Sequence, residues 1–243
     1  MSLSKPIRLA GLLTLSLLPT LAAHADDFVV YSPYVIDGQT EFEFRGHDSK
    51  DSDPTLDGER AYQFAFGHAF ADWWRPEIYA ARYAREPGGT TRFQGYEFEN
   101  VFQLAPAGEW WADTGFLASY EYNGPVNAPA DLEFGPLFEK RTGRLRQRLN
   151  LIWEKELGSG ASGEYAFRGT YALNYLWRTG FAPGLEAYYR PADDSRQLGP
   201  SLYGELYLGD GHSELEYSAA LLLGLNRGAP DRTLVLRLEY EFF

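Results

Sequence analysis

Apolar and polar residues alternate along most of the chain with a period of two, which is typical of β-strands that have one apolar face. In one such run, Phe64 and Phe66 flank the apolar side while Gln63 occupies the other. Glycine, proline and polar clusters separate the runs and predict twelve strands, of which the ninth is short because Pro183 and Pro191 bound it. The predicted strands cover residues 38–47, 59–70, 74–85, 92–104, 110–122, 131–140, 145–157, 164–176, 184–190, 196–208, 212–224 and 232–242.

A soluble β-sandwich shows the same alternation, so strand length and charge decide between the two classes. Runs of about 11 to 13 residues exceed the ~5–6 of most soluble strands and fit strands that cross a bilayer at a tilt. The polar faces mix guanidinium groups and carboxylates, as at Arg148 and Glu154. A packed core would accept these charges only at a heavy desolvation cost, whereas a water-filled lumen would hydrate them. The pattern therefore predicts a transmembrane β-barrel.

Aromatic residues, 16% of the chain, gather near both ends of the predicted strands. Strand propensity explains an aromatic residue in mid-strand, such as Phe66, but not paired tryptophans beside turns. Two aromatic belts are typical of barrels at the two membrane interfaces. The belt on the side of the shorter connections contains Trp73, Trp74, Trp110, Trp111, Trp177 and Phe242. The belt on the side of the longer connections contains Phe44, Tyr62, Tyr83, Phe93, Tyr122, Tyr165 and Tyr189.

Residues 1–25 have the pattern of a cleaved signal peptide. Lys5 and Arg8 precede an apolar run, and Ala23-His24-Ala25 has the small residues of a signal-peptidase site. The apolar run of about 13 residues is shorter than the ~20 that a membrane-spanning helix needs. We therefore expect the mature chain, residues 26–243, to be exported as a single barrel domain.

The composition removes several classes of function. The chain has no cysteine, which excludes disulfides, cysteine-ligated zinc and thiol nucleophiles. Its formal net charge of −12 disfavours nucleic acid as a partner, because phosphate backbones bind surfaces rich in lysine and arginine. No motif indicates a cofactor.

The last run ends in Tyr240-Glu241-Phe242, followed by Phe243. It resembles the closing strand of bacterial outer-membrane β-barrel proteins, whose assembly signal is an alternating strand that ends in Tyr-x-Phe. The resemblance implies an up-and-down antiparallel barrel of a Gram-negative outer membrane, with short periplasmic turns and longer extracellular loops. It also implies contact with outer-membrane lipid and lipopolysaccharide, and recognition by periplasmic chaperones and the barrel-assembly machinery. Tyr240, Phe242 and Phe243 are the predicted assembly signal.

The polar faces predict a lumen in which acids outnumber bases about two to one. Rings of like charge select ions in pores, whereas opposite charges on neighbouring strands brace the interior. Arg237 should approach Glu43 or Arg45 when the barrel closes. Glu97 and Glu99 are the best candidates for unpaired carboxylates, because their own strand has no inward arginine between them. Arg82 on the third strand is placed to pair with one of the two, which leaves the other as the free charge. The predicted lumen charges are Glu43, Arg45, Arg82, Glu97, Glu99, Arg146, Arg148, Glu154, Arg168, Glu205, Glu214, Glu216, Arg237 and Glu239.

This pattern predicts a small passive channel for ions or a small polar solute, with a weak preference for cations. Twelve strands enclose a lumen between those of eight-stranded and sixteen-stranded barrels. The alternative is a structural or adhesive barrel that its own Arg–Glu network blocks. Residues 31–36 either extend the first strand or lie in the mouth of the barrel. No sizeable plug is expected, which disfavours active TonB-type uptake.

An outer-membrane lipid hydrolase is a third alternative, because it needs a His near a Ser on the lipid-facing surface. His47 and His212 each have a serine nearby, but neither has the motif of such a lipase, and His68 lies among phenylalanines. We therefore predict no catalytic residues. The acidic loop from Asp48 to Glu59 is interpreted as a solvated loop in preference to a Ca²⁺ site, since it lacks the central glycine of an EF-hand loop.

Overall fold

The computed structural model of the protein describes residues 28–209 and 213–243. The predicted signal peptide at residues 1–25 and His212 lie outside the described residues. Among the described residues, none of the helical segments has the length and apolarity of a membrane-spanning helix.

Twelve antiparallel strands form a closed barrel in which each strand pairs with its neighbours in the sequence. The barrel closes where β1 pairs with β12, from Thr40 opposite Phe242 to Lys50 opposite Arg232. This architecture confirms the fold that the alternation predicts. The strands are β1 (Thr40–Lys50), β2 (Arg60–His68), β3 (Trp74–Arg85), β4 (Arg92–Gln103), β5 (Asp113–Tyr122), β6 (Ala130–Thr142), β7 (Leu145–Leu157), β8 (Tyr165–Tyr175), β9 (Ala182–Arg190), β10 (Ser195–Leu208), β11 (Ser213–Gly224) and β12 (Arg232–Phe242).

The end of the barrel that carries Thr40 and Phe242 is termed the turn end, and the opposite end is termed the loop end. The connection at 143–144 of the turn end is very short, whereas that at 104–112 is long, because β5 begins at Asp113. Trp110 and Trp111 therefore lie in a turn and not, as predicted, in a strand. They are half or more exposed, as are Trp73 and Trp177 of the same end.

Alternation sorts the side chains between the lumen and the outer wall. In β2, Ala61 and Gln63 are buried inside the barrel, while Phe64 and Phe66 are nearly half exposed on its outer surface. Phe64 packs against Phe44 of β1, with ring centres 4.9 Å apart. The outer wall is thus apolar and rich in aromatic contacts between strands, which suits a surface in contact with lipid.

A β-bulge in β3 shifts the alternation by one residue. Phe64 pairs with Ala81 and the next residue of β2 pairs with Tyr79, so Ala80 is the extra residue. A bulge puts two residues of one strand opposite one of its partner. Arg75 and Glu77 therefore point into the barrel together with Arg82. A strict period-two count from Arg82 towards the N-terminus therefore assigns Arg75 and Glu77 to the outer face.

The segment of residues 28–39, termed the lumen segment, runs inside the barrel. At the turn end, the backbone N–H of Gly38 donates a hydrogen bond to the Ala69 carbonyl. At the other end of the segment, Phe28 packs on His47 and Tyr188. A Cβ at Gly115 would lie 3.0 Å from Pro33, so the absence of a side chain there makes room for the segment. These positions correct the prediction that residues 31–36 extend β1 or lie in the mouth of the barrel. They also place residues 28–39 inside a barrel for which the sequence predicts no sizeable plug.

The outer wall predicts how the barrel responds to a new charge. Leu151 of β7 lies between inward-facing Asn150 and Ile152 and therefore faces outward. We expect Leu151→Arg to lower the free energy of unfolding in lipid vesicles by about 2–4 kcal/mol if it lies near the bilayer midplane. Asn174→Asp inside the barrel, beside Arg146 of β7, should cost far less. Equal losses for the two variants in urea titrations would contradict this in–out assignment.

The β1–β12 seam predicts a role for the C-terminal aromatics in assembly. Phe242 is the last paired residue of β12, opposite both Thr40 and Ser213, whereas Phe243 lies beyond the strand. Deleting Phe242 and Phe243 should reduce outer-membrane insertion, measured as the heat-modifiable fraction in isolated membranes. Deleting Phe243 alone should have a much smaller effect. Undiminished insertion of the doubly truncated chain would contradict the assembly-signal interpretation.

Candidate functional site

The lumen is the candidate functional site, and Tyr31 holds the lumen segment at its centre. Its backbone N–H donates to Asn150 Oδ1 at 2.7 Å, and Asn150 Nδ2 donates back to the Tyr31 carbonyl at 3.2 Å. The Tyr31 hydroxyl donates to Glu99 at 2.9 Å and accepts from Arg45 at 2.9 Å. A backbone segment in a charged lumen is thus bound by side chains of β1, β4 and β7.

Arg45 is the centre of the charge network in the lumen. Its Nε lies 2.5 Å from Glu43 Oε1, and its Nη2 lies 3.5 Å from Glu99. Its guanidinium also packs on the Tyr79 ring, 4.3 Å from the ring centre. All four side chains are buried. A buried arginine needs such partners, because an isolated buried charge is strongly destabilising.

A second group of charges closes the seam between β1 and β12. Arg237 lies 3.1 Å from Glu43 across the seam and 2.8 Å from Glu239 on its own strand. Arg75 lies 3.1 Å from Glu41 and 3.0 Å from Glu77. The approach of Arg237 to Glu43 is the contact that the sequence predicts for barrel closure.

Glu97 and Glu99 are not free carboxylates, which corrects the prediction made for them. Glu97 accepts a hydrogen bond from Ser119 at 2.8 Å and lies 3.6 Å from Arg82. Glu99 binds Arg45 and Tyr31, as described above. The prediction considered only charges on β3 and β4, whereas Arg45 belongs to β1 and Tyr31 to the lumen segment.

The remaining predicted lumen charges fall into two groups. Arg148 and Arg168 are buried and each lies 2.7 Å from a glutamate of β6, Glu139 and Glu133 respectively. Four predicted acids are only partly buried, Glu154, Glu205, Glu214 and Glu216. The predicted set also omits buried charges that the structure places inside the barrel, among them Arg75, Glu77, Glu121, Asp131 and Glu186. Alternation alone would have found Glu121, which shares a face with Ser119.

Carboxylates outnumber guanidinium groups inside the barrel. Among the described residues, twelve buried side chains are Asp or Glu and six are Arg. The excess is concentrated at the turn end, where carboxylate oxygens lie within 4.8 Å of one another in two overlapping groups. Such oxygens suit hard cations. The two groups are Glu41, Glu239 and Glu241, and Glu214, Glu216 and Glu241.

Little free space remains beside the lumen segment. Between Phe28 and the wall formed by Arg148, Glu186, Tyr188 and Arg237, the cavity that water-sized molecules can occupy is about 30 Å³. That volume holds about one or two water molecules. The lumen segment and the charged side chains thus constrict the barrel at this level.

The residues considered for catalysis and metal binding have other partners. His47 lies inside the barrel, 3.2 Å from Glu59, and Ser49 binds Thr233 at 2.9 Å. His68 contacts Thr40 at the turn end. None of these histidine contacts forms a His–Ser pair on the lipid-facing surface.

The loop carboxylates between β1 and β2 accept hydrogen bonds from nearby backbone N–H groups. Asp53 accepts from the backbone and hydroxyl of Thr55, and these bonds hold the pKa of Asp53 below its usual range. Asp51 accepts from the backbone N–H of Asp231 at 2.7 Å, which joins this loop to the β11–β12 loop. The carboxylates thus order the loop, as a solvated acidic loop would.

Comparisons with known proteins show the fold. No model of a known protein family and no curated protein matches the chain. An outer membrane channel from Pseudomonas putida F1 is similar in structure, with a TM-score of 0.53 and 13% identity over 86% of this chain and 96% of that one. The NanC porin has a TM-score of 0.50 and 11% identity over 83% and 99% of the two chains. The chain therefore has the fold of bacterial outer-membrane β-barrels.

The charge network predicts a large cost when its centre is removed. Arg45→Gln removes the guanidinium beside the buried Glu99 and leaves Glu43 with the Arg237 guanidinium. It should lower the free energy of unfolding by about 3–5 kcal/mol. Arg60 lies 2.7 Å from Asp48, and both side chains are more than a third exposed. Arg60→Gln should cost at most about 1 kcal/mol. Urea unfolding in vesicles measures both, and similar costs would show that Arg45 does not hold the network.

Proposed function

We propose that the protein is an outer-membrane channel through which small ions and small polar solutes diffuse, with a weak preference for cations. The observation that carries the proposal is the excess of carboxylates over arginines in a barrel that has the fold of outer-membrane channels. Unpaired carboxylates raise the local cation concentration in a narrow aqueous passage.

The lumen segment sets the constriction of this channel. It fills the centre of the barrel and leaves about 30 Å³ at the level of Phe28. Its bonds to Asn150, Glu99 and Arg45 fix its position. Conduction through the intact protein is therefore small, and the route lies between the segment and the wall.

A non-conducting structural barrel is the second candidate, and the nearly filled lumen favours it. A lipid hydrolase has no support from the described histidines, and we propose no enzymatic activity. The proposed setting is the outer membrane, in contact with lipid and lipopolysaccharide, after export by the signal peptide. Delivery by periplasmic chaperones and the barrel-assembly machinery belongs to the same proposal.

Planar-bilayer recording tests the proposal. The mature protein should give small conductance steps, and its reversal potential in a KCl gradient should indicate cation preference. Deleting residues 28–35 should raise the single-channel conductance several-fold, because it removes the segment from the lumen. Arg60→Gln, at the loop end and outside the lumen network, serves as the matched control and should leave the conductance unchanged. Absence of conductance in both the intact and the deleted protein would replace the channel with the structural barrel.

Charge variants test the selectivity separately from the conductance. Glu214→Gln combined with Glu216→Gln removes two partly buried carboxylates of the turn end and should lower the ratio of cation to anion permeability. Arg237→Gln should raise that ratio, because it removes one positive charge from beside Glu43 and Glu239. An anion preference in the unmodified protein would contradict the assignment of the acidic lumen.

A further inference from the structure

A second pocket opens at the turn end, between β7 and β10. It is termed the mouth pocket, and its volume is about 330 Å³. Its lining differs from the rest of the lumen, because arginines outnumber carboxylates there. The residues that define it are Arg141, Arg146, Arg178, Tyr203 and Glu205.

Arg146 lacks the partners that the other buried arginines have. Its side chain is 1% exposed, and its Nε and Nη2 have no hydrogen-bond partner within the described part of the chain. The Glu205 carboxylate is 4.0 Å from Nη1, beyond hydrogen-bond distance. One face of the guanidinium rests on the Tyr203 ring, 3.7 Å from the ring centre. Because a buried guanidinium usually has its donors paired, these two free donors beside a pocket are suited to a bound acceptor.

The charged side chains around Arg146 determine which charge the bound acceptor should carry. Arg141 is bound to Glu139 at 2.8 Å, and Glu139 is also bound to Arg148. Arg178 lies on the exposed turn that follows β8, and its nearest ring contact is Phe181. Glu205 already accepts a hydrogen bond from Tyr203 at 2.7 Å. Glu216 is the register partner of Glu205 on β11. The four arginines Arg141, Arg146, Arg148 and Arg178 thus face the three carboxylates Glu139, Glu205 and Glu216, and a single negative charge balances the surplus.

We propose that the mouth pocket binds a small carboxylate anion, held by Arg146. A carboxylate can accept two parallel hydrogen bonds from one guanidinium, which matches two free donors on the same side chain. Arg178 adds positive charge at the pocket entrance. The mouth pocket is thus a binding site at the turn end of the barrel, separate from the carboxylate groups of β1, β11 and β12 on which the proposed cation preference rests.

Acetate provides the probe, and binding is measured without conduction. In saturation-transfer difference NMR on the protein folded in detergent micelles, the acetate methyl signal should show saturable binding. Arg146→Gln should weaken the affinity about ten-fold or more, because the charged hydrogen bonds are lost. Arg92→Gln, an exposed arginine at the loop end, is the matched control and should bind acetate like the unmodified protein.

A second variant keeps the test decisive if Arg146→Gln does not fold, as judged by heat-modifiable mobility. Glu205→Gln removes the carboxylate nearest to Arg146 and should tighten acetate binding several-fold. If neither variant changes acetate binding, the proposal is overturned. It is also overturned if phosphate displaces acetate at an equal or lower concentration. If the protein binds acetate but does not conduct, the result supports the mouth pocket and overturns the proposed channel. The failure of the binding site can therefore be distinguished from the failure of the channel.

Discussion

The structure depends on the pairing of charges that a closed barrel takes out of water. Arg45 shows this constraint most clearly, since it binds Glu43 on its own strand, Glu99 on β4 and Tyr31 in the lumen segment. Each of these partners would be costly to bury alone. One guanidinium thereby joins the barrel wall to the segment inside it, and the position of that segment follows from the charges around it.

This pairing opposes an open pore. Side chains that form ion pairs inside the barrel occupy its lumen, so a lumen that satisfies its charges also narrows. Here the arginines are distributed over β1, β3, β7, β8 and β12. Arg82, Arg148 and Arg237 each lie within 4 Å of a carboxylate on a neighbouring strand, whereas Arg45 and Arg168 reach carboxylates two or three strands away. The carboxylates left in excess gather at the turn end, where Glu41, Glu239 and Glu241 are buried and Glu214 and Glu216 are partly buried. Constriction and the proposed cation preference thus rest on one charge distribution.

The sequence predicts the barrel well because the period of two is a local property. The strand limits, the closure of β1 on β12 and the contact of Arg237 with Glu43 all follow from alternation and register. The bulge at Ala80 does not follow from alternation, because a count of every second residue assumes that no extra residue interrupts the strand. The lumen segment is also missed, because it has no periodicity and its partner Asn150 is 119 positions away. The wrong prediction for Glu99 has the same kind of cause, since its partners lie on β1 and on the lumen segment, far from β4 in the sequence.

The turn end combines two opposite kinds of surface. Its carboxylate groups lie on β1, β11 and β12, whereas Arg146 lies on β7. In a ring of twelve strands, β7 is six strands from β1, so Arg146 and the carboxylates of β1 and β12 lie on facing walls. In the proposed channel, a solute that enters between them would meet a field directed across the barrel axis. Such a field would orient a dipolar solute as well as select by net charge, and orientation would narrow the range of solutes more than an acidic ring alone.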